Sequence, residues 1–126
     1  DQCTQLLRQL CVPQPKAWTR MQMLNIPSGG KGATPGTLTA YTIEFLLTRG
    51  PYALLGYSWY GCTDNQEAPP RAEEWDEDFG EPDGSAACSE SGANTGVFER
   101  RWSKALVQWN CHTASGQIIR NPEIMA

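Results

Sequence analysis

Trp18-Thr-Arg-Met-Gln-Met-Leu-Asn-Ile26 and Tyr52-Ala-Leu-Leu-Gly-Tyr-Ser-Trp-Tyr60, separated by a segment that opens on Thr34-Pro35 and closes near Gly50-Pro51, decide the fold. The first stretch reads as a short buried strand. The second is apolar on both alternations, as expected of a strand covered on two faces. Between them, a threonine N-cap followed by proline at the first helical position starts a helix. That helix runs to about Thr48, buries Leu38, Tyr41, Thr42, Phe45 and Leu46, and stops at the glycine and proline. Strand, helix and strand at this spacing form a βαβ unit, with parallel strands and a right-handed crossover.

Upstream, Cys3, Leu6, Leu7, Leu10 and Cys11 recur at the spacing of one helical face, and Pro13 and Pro15 end that helix. Downstream, residues 61–96 read as irregular, with Pro69, Pro70 and Pro82 and a drift to glycine and serine. A loop this long inside a compact domain is unusual, and Trp75 and Phe79 are expected to pin it to the body. Val97–Trp102, Ala105–Cys111 and Gln117–Ile119 then form an antiparallel meander. Ser103-Lys104 is a poor two-residue hairpin turn, so a bulge or longer loop is expected there. The expected class is α/β: residues 1–61 a helix plus βαβ segment, 62–96 an acidic loop, and 97–126 a hairpin or meander of the same domain.

Charge is unevenly spread. The chain has 126 residues and a net charge of −4, yet residues 64–90 hold ten of its 14 acids against one base, Arg71. An acidic loop repels phosphate backbones, so nucleic acid is excluded as a partner. No apolar run is long enough to span a membrane. Asp76-Glu77-Asp78 begins like a calcium loop, but the required glycine and terminal glutamate do not follow. The glycine-rich stretch Ser28-Gly-Gly-Lys-Gly32 lacks the phosphate-loop pattern, because Asn25 and Gly32 stand where glycine and serine or threonine are needed. No cofactor is implied.

Five cysteines, none spaced as C-x-x-C, and a single histidine give no zinc ligand set. They point instead to disulfides and an oxidising, extracellular compartment. Cys62–Cys88 would close a loop of about 27 residues, worth on the order of 3–4 kcal/mol; Cys88–Cys111 is the alternative. Cys3 and Cys11, eight apart on one helix, lie about 12 Å apart along its axis and cannot bridge each other. One cysteine is left over. His112, beside Cys111 at a strand end, is expected as a surface turn residue, since adjacent strand residues face opposite ways.

Ligands of parallel α/β folds bind outside the carboxyl ends of the strands. Tyr57, Trp59 and Tyr60 end one such strand, Asn25 ends its neighbour, and Asp64 begins the acidic rim beyond. Flat aromatic faces beside amides and carboxylates suit sugar rings, so carbohydrate is the expected ligand. Trp18, Trp102 and Trp109 are assigned to packing.

The same residues carry a resemblance. Met23-Leu-Asn-Ile-Pro27, Ala33-Thr-Pro-Gly-Thr-Leu38 with Tyr41 and Glu44-Phe-Leu-Leu47, and Gly50–Trp59 are similar to the closing stretch of glycoside-hydrolase-like (β/α)8-barrel proteins. In those proteins a (F/Y)GEP.G element follows the last strand, matched here by Phe79-Gly-Glu-Pro-Asp-Gly84, and a hairpin follows it, matched by Val97–Asn110. The similarity spans residues 18–119 or so. It implies the last strands of a (β/α)8-type barrel, and such a barrel typically needs about 250 residues. The chain would then be the C-terminal portion of a carbohydrate-active protein, with unpaired sheet edges that favour association with itself or with an N-terminal part. Glycoside hydrolysis needs two carboxylates about 5–9.5 Å apart. The candidates in this chain, Asp64, Glu67 and the Glu73–Asp78 run, lie after the last strand, but no catalytic pair is assigned. Glu44, on an outer-ring helix, is a poor candidate, and Glu81 suits a structural turn equally well. The rival reading is a non-catalytic, disulfide-stabilised module binding glycans or protein, or an assembly subunit joined through cations on its acidic loop.

Overall fold

The computed structural model describes residues 1–11, 22–27, 33–57, 70–84 and 88–120. Among the described residues, two α-helices and six strands run in the order α1 (Gln2–Leu10), β1 (Gln22–Ile26), α2 (Pro35–Thr48), β2 (Ala53–Tyr57), β3 (Ser89–Glu90), β4 (Val97–Trp102), β5 (Ala105–Asn110) and β6 (Ser115–Arg120). β1 and β2 pair in parallel, with Asn25 opposite Gly56 and Ile26 opposite Tyr57. The other four strands form an antiparallel sheet in the order β3-β4-β5-β6. The protein is therefore mixed α/β, a parallel pair plus a four-stranded meander, with no closed barrel among the described residues.

α2 joins the two sheets. Thr34 caps it, its hydroxyl accepting from the Thr37 N–H at 3.2 Å, and Pro35 occupies the first turn. One side of the helix buries Leu38 against Ile26 and Ala72, with Leu55, Tyr57 and Trp75 packed around them. The other side sends Ile43, Leu46 and Leu47 into the larger core with Phe79, Trp102, Ala105 and Val107. A helix buried between two sheets must be apolar around most of its circumference. This is why Ile43 and Leu47 are as deeply buried as the one-face reading expected of its own set, whereas Tyr41 and Phe45 are only half-buried. Arg100 of β4 closes the C-terminal end, donating to the carbonyls of Leu46 at 3.1 Å and Arg49 at 2.7 Å.

Among the described residues, the parallel sheet is covered on one face only. Met23 and Leu54, paired across it, remain 57 % and 51 % exposed. The expectation of a strand buried on both faces fails here, because α2 supplies cover to the Leu55 and Tyr57 side and nothing among the described residues covers the other.

Two disulfides hold α1 to the meander: Cys3–Cys111 and Cys11–Cys88. Both expected pairings of Cys88 are overturned, since its partner is neither Cys62 nor Cys111. The physical reason lies in α1. Its cysteines share one face at i and i+8, so they cannot reach each other but reach two points of one sheet, beside the edge strand β3 and just past the end of β5. Cys62 lies outside the described residues. Arg8, between the two cysteines, adds a two-pronged ion pair to Glu90 at 2.7 and 2.9 Å. These bridges are consistent with an oxidising compartment. No described helix is long and apolar enough to cross a membrane.

The acidic stretch is more ordered than its composition suggests. Phe79 is buried, Trp75 is half-buried with its indole N–H donating to Thr42 Oγ1 at 2.8 Å, and Glu73–Asp76 forms one 3-10 turn. Residues 79–83 then run as a strap along the end of β4. The Lys104 N–H donates to the Phe79 carbonyl, the Ser103 N–H to that of Glu81, and the Asp83 N–H to that of Arg101. Under this strap Ser103-Lys104 is a two-residue turn after all, closing directly on the Trp102–Ala105 pair with neither residue at positive φ. Hydrogen bonds to the strap replace the intrinsic turn preference that the residue types lack.

Candidate functional site

At the carboxyl ends of the parallel strands, Asn25 and Tyr57 come together in sequence register but on opposite faces. Ile26 and Tyr57 point toward α2, and Asn25, one residue earlier, projects from the open face beside Met23 and Leu54. Tyr57 is held in place by packing. Its ring centroid lies 6.0 Å from that of Trp75, and its hydroxyl donates to the Pro70 carbonyl. Burial pushes the phenol upward, against a smaller opposing effect of the Arg71 charge. Trp59, Tyr60 and Asp64 lie outside the described residues. So, of the five residues expected to contact sugar, Asn25 presents an exposed polar side chain and Tyr57 supports the wall behind it.

Among the described residues, four consecutive or near-consecutive carboxylates of the acidic stretch, Glu74, Asp76, Glu77 and Asp78, are committed to neighbours. Glu74 accepts from the Thr39 hydroxyl at 2.8 Å, Asp76 pairs with Arg71 at 2.7 Å and Glu77 pairs with Arg120 at 2.7 Å. Asp78 pairs with Lys104 and also accepts from the Gly80 N–H. Hydrogen bonds from Arg120 and Lys104 hold Glu77 and Asp78 below the usual carboxylate range. Groups kept ionised in this way suit tethering rather than proton donation. Among the described residues, no three His, Cys, Asp or Glu side chains gather as a metal site. Trp102 is buried as core and Trp109 packs half-buried against it; Trp18 is not among the described residues. His112 is exposed in the β5–β6 turn, its N–H donating to Asn110 Oδ1 at 2.9 Å.

A second concave site lies elsewhere. Between α1, α2 and the end of β5 is a cavity of about 690 Å3, lined in part by Leu6, Leu7, Tyr41, Glu44, Leu47 and Trp109. Burial raises the Glu44 carboxyl above its ordinary range. On the sequence alone, Glu44 belongs to an outer-ring helix and is a poor site candidate. The available signal was the i, i+3 spacing of Tyr41 and Glu44, which puts an aromatic and a carboxylate on one face. What it lacked was α1, which forms the opposite wall only once the disulfides bring it there. The chain matches no family model and no curated protein.

Proposed function

We propose that this chain is the C-terminal portion of a secreted, carbohydrate-active, glycoside-hydrolase-like protein, binding sugar at the carboxyl ends of its parallel strands. The observation that carries the reading is the one-sided cover of β1 and β2. Parallel strands are normally buried on both faces, and here α2 covers one face while Met23 and Leu54 stand open on the other. In a (β/α)8 arrangement the helix side is the outside and the open side is the interior. Asn25 then faces the rim where substrates bind, with Trp59, Tyr60 and Asp64 following the second strand. The catalytic acid and nucleophile are not assigned to residues of this chain.

The test is titration with a panel of neutral oligosaccharides, followed by assay on the matching chromogenic glycosides. Saturable binding that perturbs the Asn25 amide supports the strand-end site. Turnover adds the enzyme reading. Absence of binding by every sugar sinks both.

A second reading is favoured by the two disulfides, which tie α1 to the antiparallel sheet without involving the parallel pair. A non-catalytic, extracellular binding or assembly module would be stapled in the same way, and it predicts binding without turnover.

A further inference from the structure

The cavity under α1 is distinct from the strand ends, and its chemistry differs. Its walls are mainly aliphatic and aromatic, from Leu6 and Leu7 on α1, Leu47 and Tyr41 on α2, and Trp109 on β5. Glu44 is its one charged lining residue among those described, and the carboxylate makes no hydrogen bond or ion pair. Among the described residues, no cation lines the cavity. Arg8 is clamped to Glu90, while Arg100 is turned into the C-terminal end of α2. The threonine hydroxyls of the lining are also engaged, because Thr34 and Thr37 bond each other at 3.0 Å within the helix cap.

A half-buried carboxylate without a counter-charge is costly, and the cost falls when a cation arrives. Beside it lie two aromatic rings, whose faces attract cations and favour organic ones. A sugar would bring a ring of hydroxyls to walls that have few free partners for them. A small inorganic cation would leave the apolar walls unsatisfied. An ammonium group on an apolar body meets both demands at once.

We propose that this cavity binds an organic ammonium ion carried on an apolar body, with Glu44 as the counter-charge and Tyr41 and Trp109 as the aromatic walls. The site is fixed in shape. Cys3–Cys111 ties the start of α1 to the β5–β6 turn, and Cys11–Cys88 ties its end beside β3. α1 therefore cannot close onto α2 and fill the space.

The experiment uses phenethylammonium chloride and its neutral near-isostere 2-phenylethanol, titrated into the oxidised protein while the Trp109 indole N–H is followed by NMR. The ammonium probe is expected to give saturable shifts at Trp109 and the alcohol to bind at least about tenfold more weakly. Glu44→Gln, a substitution at a half-exposed position, is expected to abolish that preference and leave the spectrum of the antiparallel sheet unchanged. No saturable shift at Trp109, equal binding of the two probes, or a preference that survives in Glu44→Gln overturns the proposal. The comparison of probes on the unaltered protein stands even if the variant folds poorly. Neither result bears on the sugar titrations, which read out at Asn25.

Discussion

Gly80 approaches Ser103 so closely that a Cβ built on the glycine falls 1.8 Å from the serine Oγ, and Gly80 sits at φ +81°. The Ser103 hydroxyl is itself engaged, accepting from the Glu81 N–H at 3.1 Å. Gly80 is thus the point at which the Phe79–Asp83 strap can cross the β4–β5 turn. The (F/Y)GEP.G element is accounted for by backbone geometry and strap hydrogen bonds, with Glu81 exposed.

Gly80→Ala is expected to destabilise the fold by about 1–3 kcal/mol, combining left-handed strain with the steric conflict. Ser103→Ala in the same chain should relieve the steric part and leave the strain. Urea unfolding of the two single variants and the double variant measures both contributions. Additive losses would show that the contact with Ser103 is not what constrains Gly80.

The cysteine pairing is directly checkable. Proteolysis without reduction should yield peptides joining Cys3 to Cys111 and Cys11 to Cys88, and none joining Cys62 to Cys88. In the chain-entropy model each bridge, closing a loop of 77 or 108 residues, contributes about 4–5 kcal/mol if broken alone. Because the loops overlap, loss of both should cost less than the sum.

Glu90 gives the α1 clamp a defined acid response. Hydrogen bonds from Arg8, then from the Gly96 backbone, lower its carboxyl from 4.5 to about 2. A carboxylate depressed in the folded state contributes its full stability above the unfolded value and loses it as pH falls toward the folded one. The contribution is therefore complete above about pH 5 and decays between about pH 4.5 and 2. Glu90→Gln should flatten this part of the stability–pH curve. An unchanged acid limb would show that the Arg8–Glu90 pair does not couple to folding.

Arg100 is a buried cation whose partners are carbonyls. Burial, then the charge of Arg49, lowers it to about 10. Arg100→Met should cost about 1–3 kcal/mol, because the Leu46 and Arg49 carbonyls lose their donor in a buried setting. Exchange of the last-turn amides of α2 should quicken in parallel. Protection equal to the parent protein would place the capping role elsewhere.

For the strand-end site, Trp59→Ala is expected to weaken oligosaccharide binding by about 1–3 kcal/mol, as loss of a stacking anchor does. Asn25→Ala should weaken it through lost hydrogen bonding, while Tyr57→Phe, which keeps the ring that packs on Trp75, should leave it nearly unchanged. Calorimetric titration with the best sugar of the panel distinguishes these. An unchanged affinity in folded Trp59→Ala sinks that subsite.

Local chemistry made much of the framework legible. Thr34-Pro35 and Gly50-Pro51 bound α2 because capping and proline geometry act within a few residues. The i, i+4 spacing of Leu7 and Cys11 predicts α1, and the residue types from Val97 to Asn110 predict antiparallel strands; their register, Phe98 with Trp109 and Arg100 with Val107, comes from the structure. His112 as a turn residue and Trp102 as core follow from the same short-range rules. Less was legible of the candidate sites. Placing Asn25 and Tyr57 at one end of a parallel pair was within reach of pattern, but strand alternation puts them on opposite faces, and only the position of α2 tells which face is covered.

By itself, then, the sequence determined α1, α2 with its Thr34 cap, the parallel pair and the meander of the last third, and the locations of its charge, because periodicity, capping and turn signals act within a few residues; β3 and the 3-10 turn at Glu73–Asp76 lay in a stretch that reads as irregular. The tertiary structure alone decided which cysteines meet, that the acidic stretch binds Arg71, Arg120 and Lys104 instead of standing free, and that Glu44 looks into a cavity. Those outcomes depend on groups 5 to 108 residues apart along the chain, and such pairings are selected by the packing of α2 between two sheets and of α1 onto one of them, which no local pattern encodes.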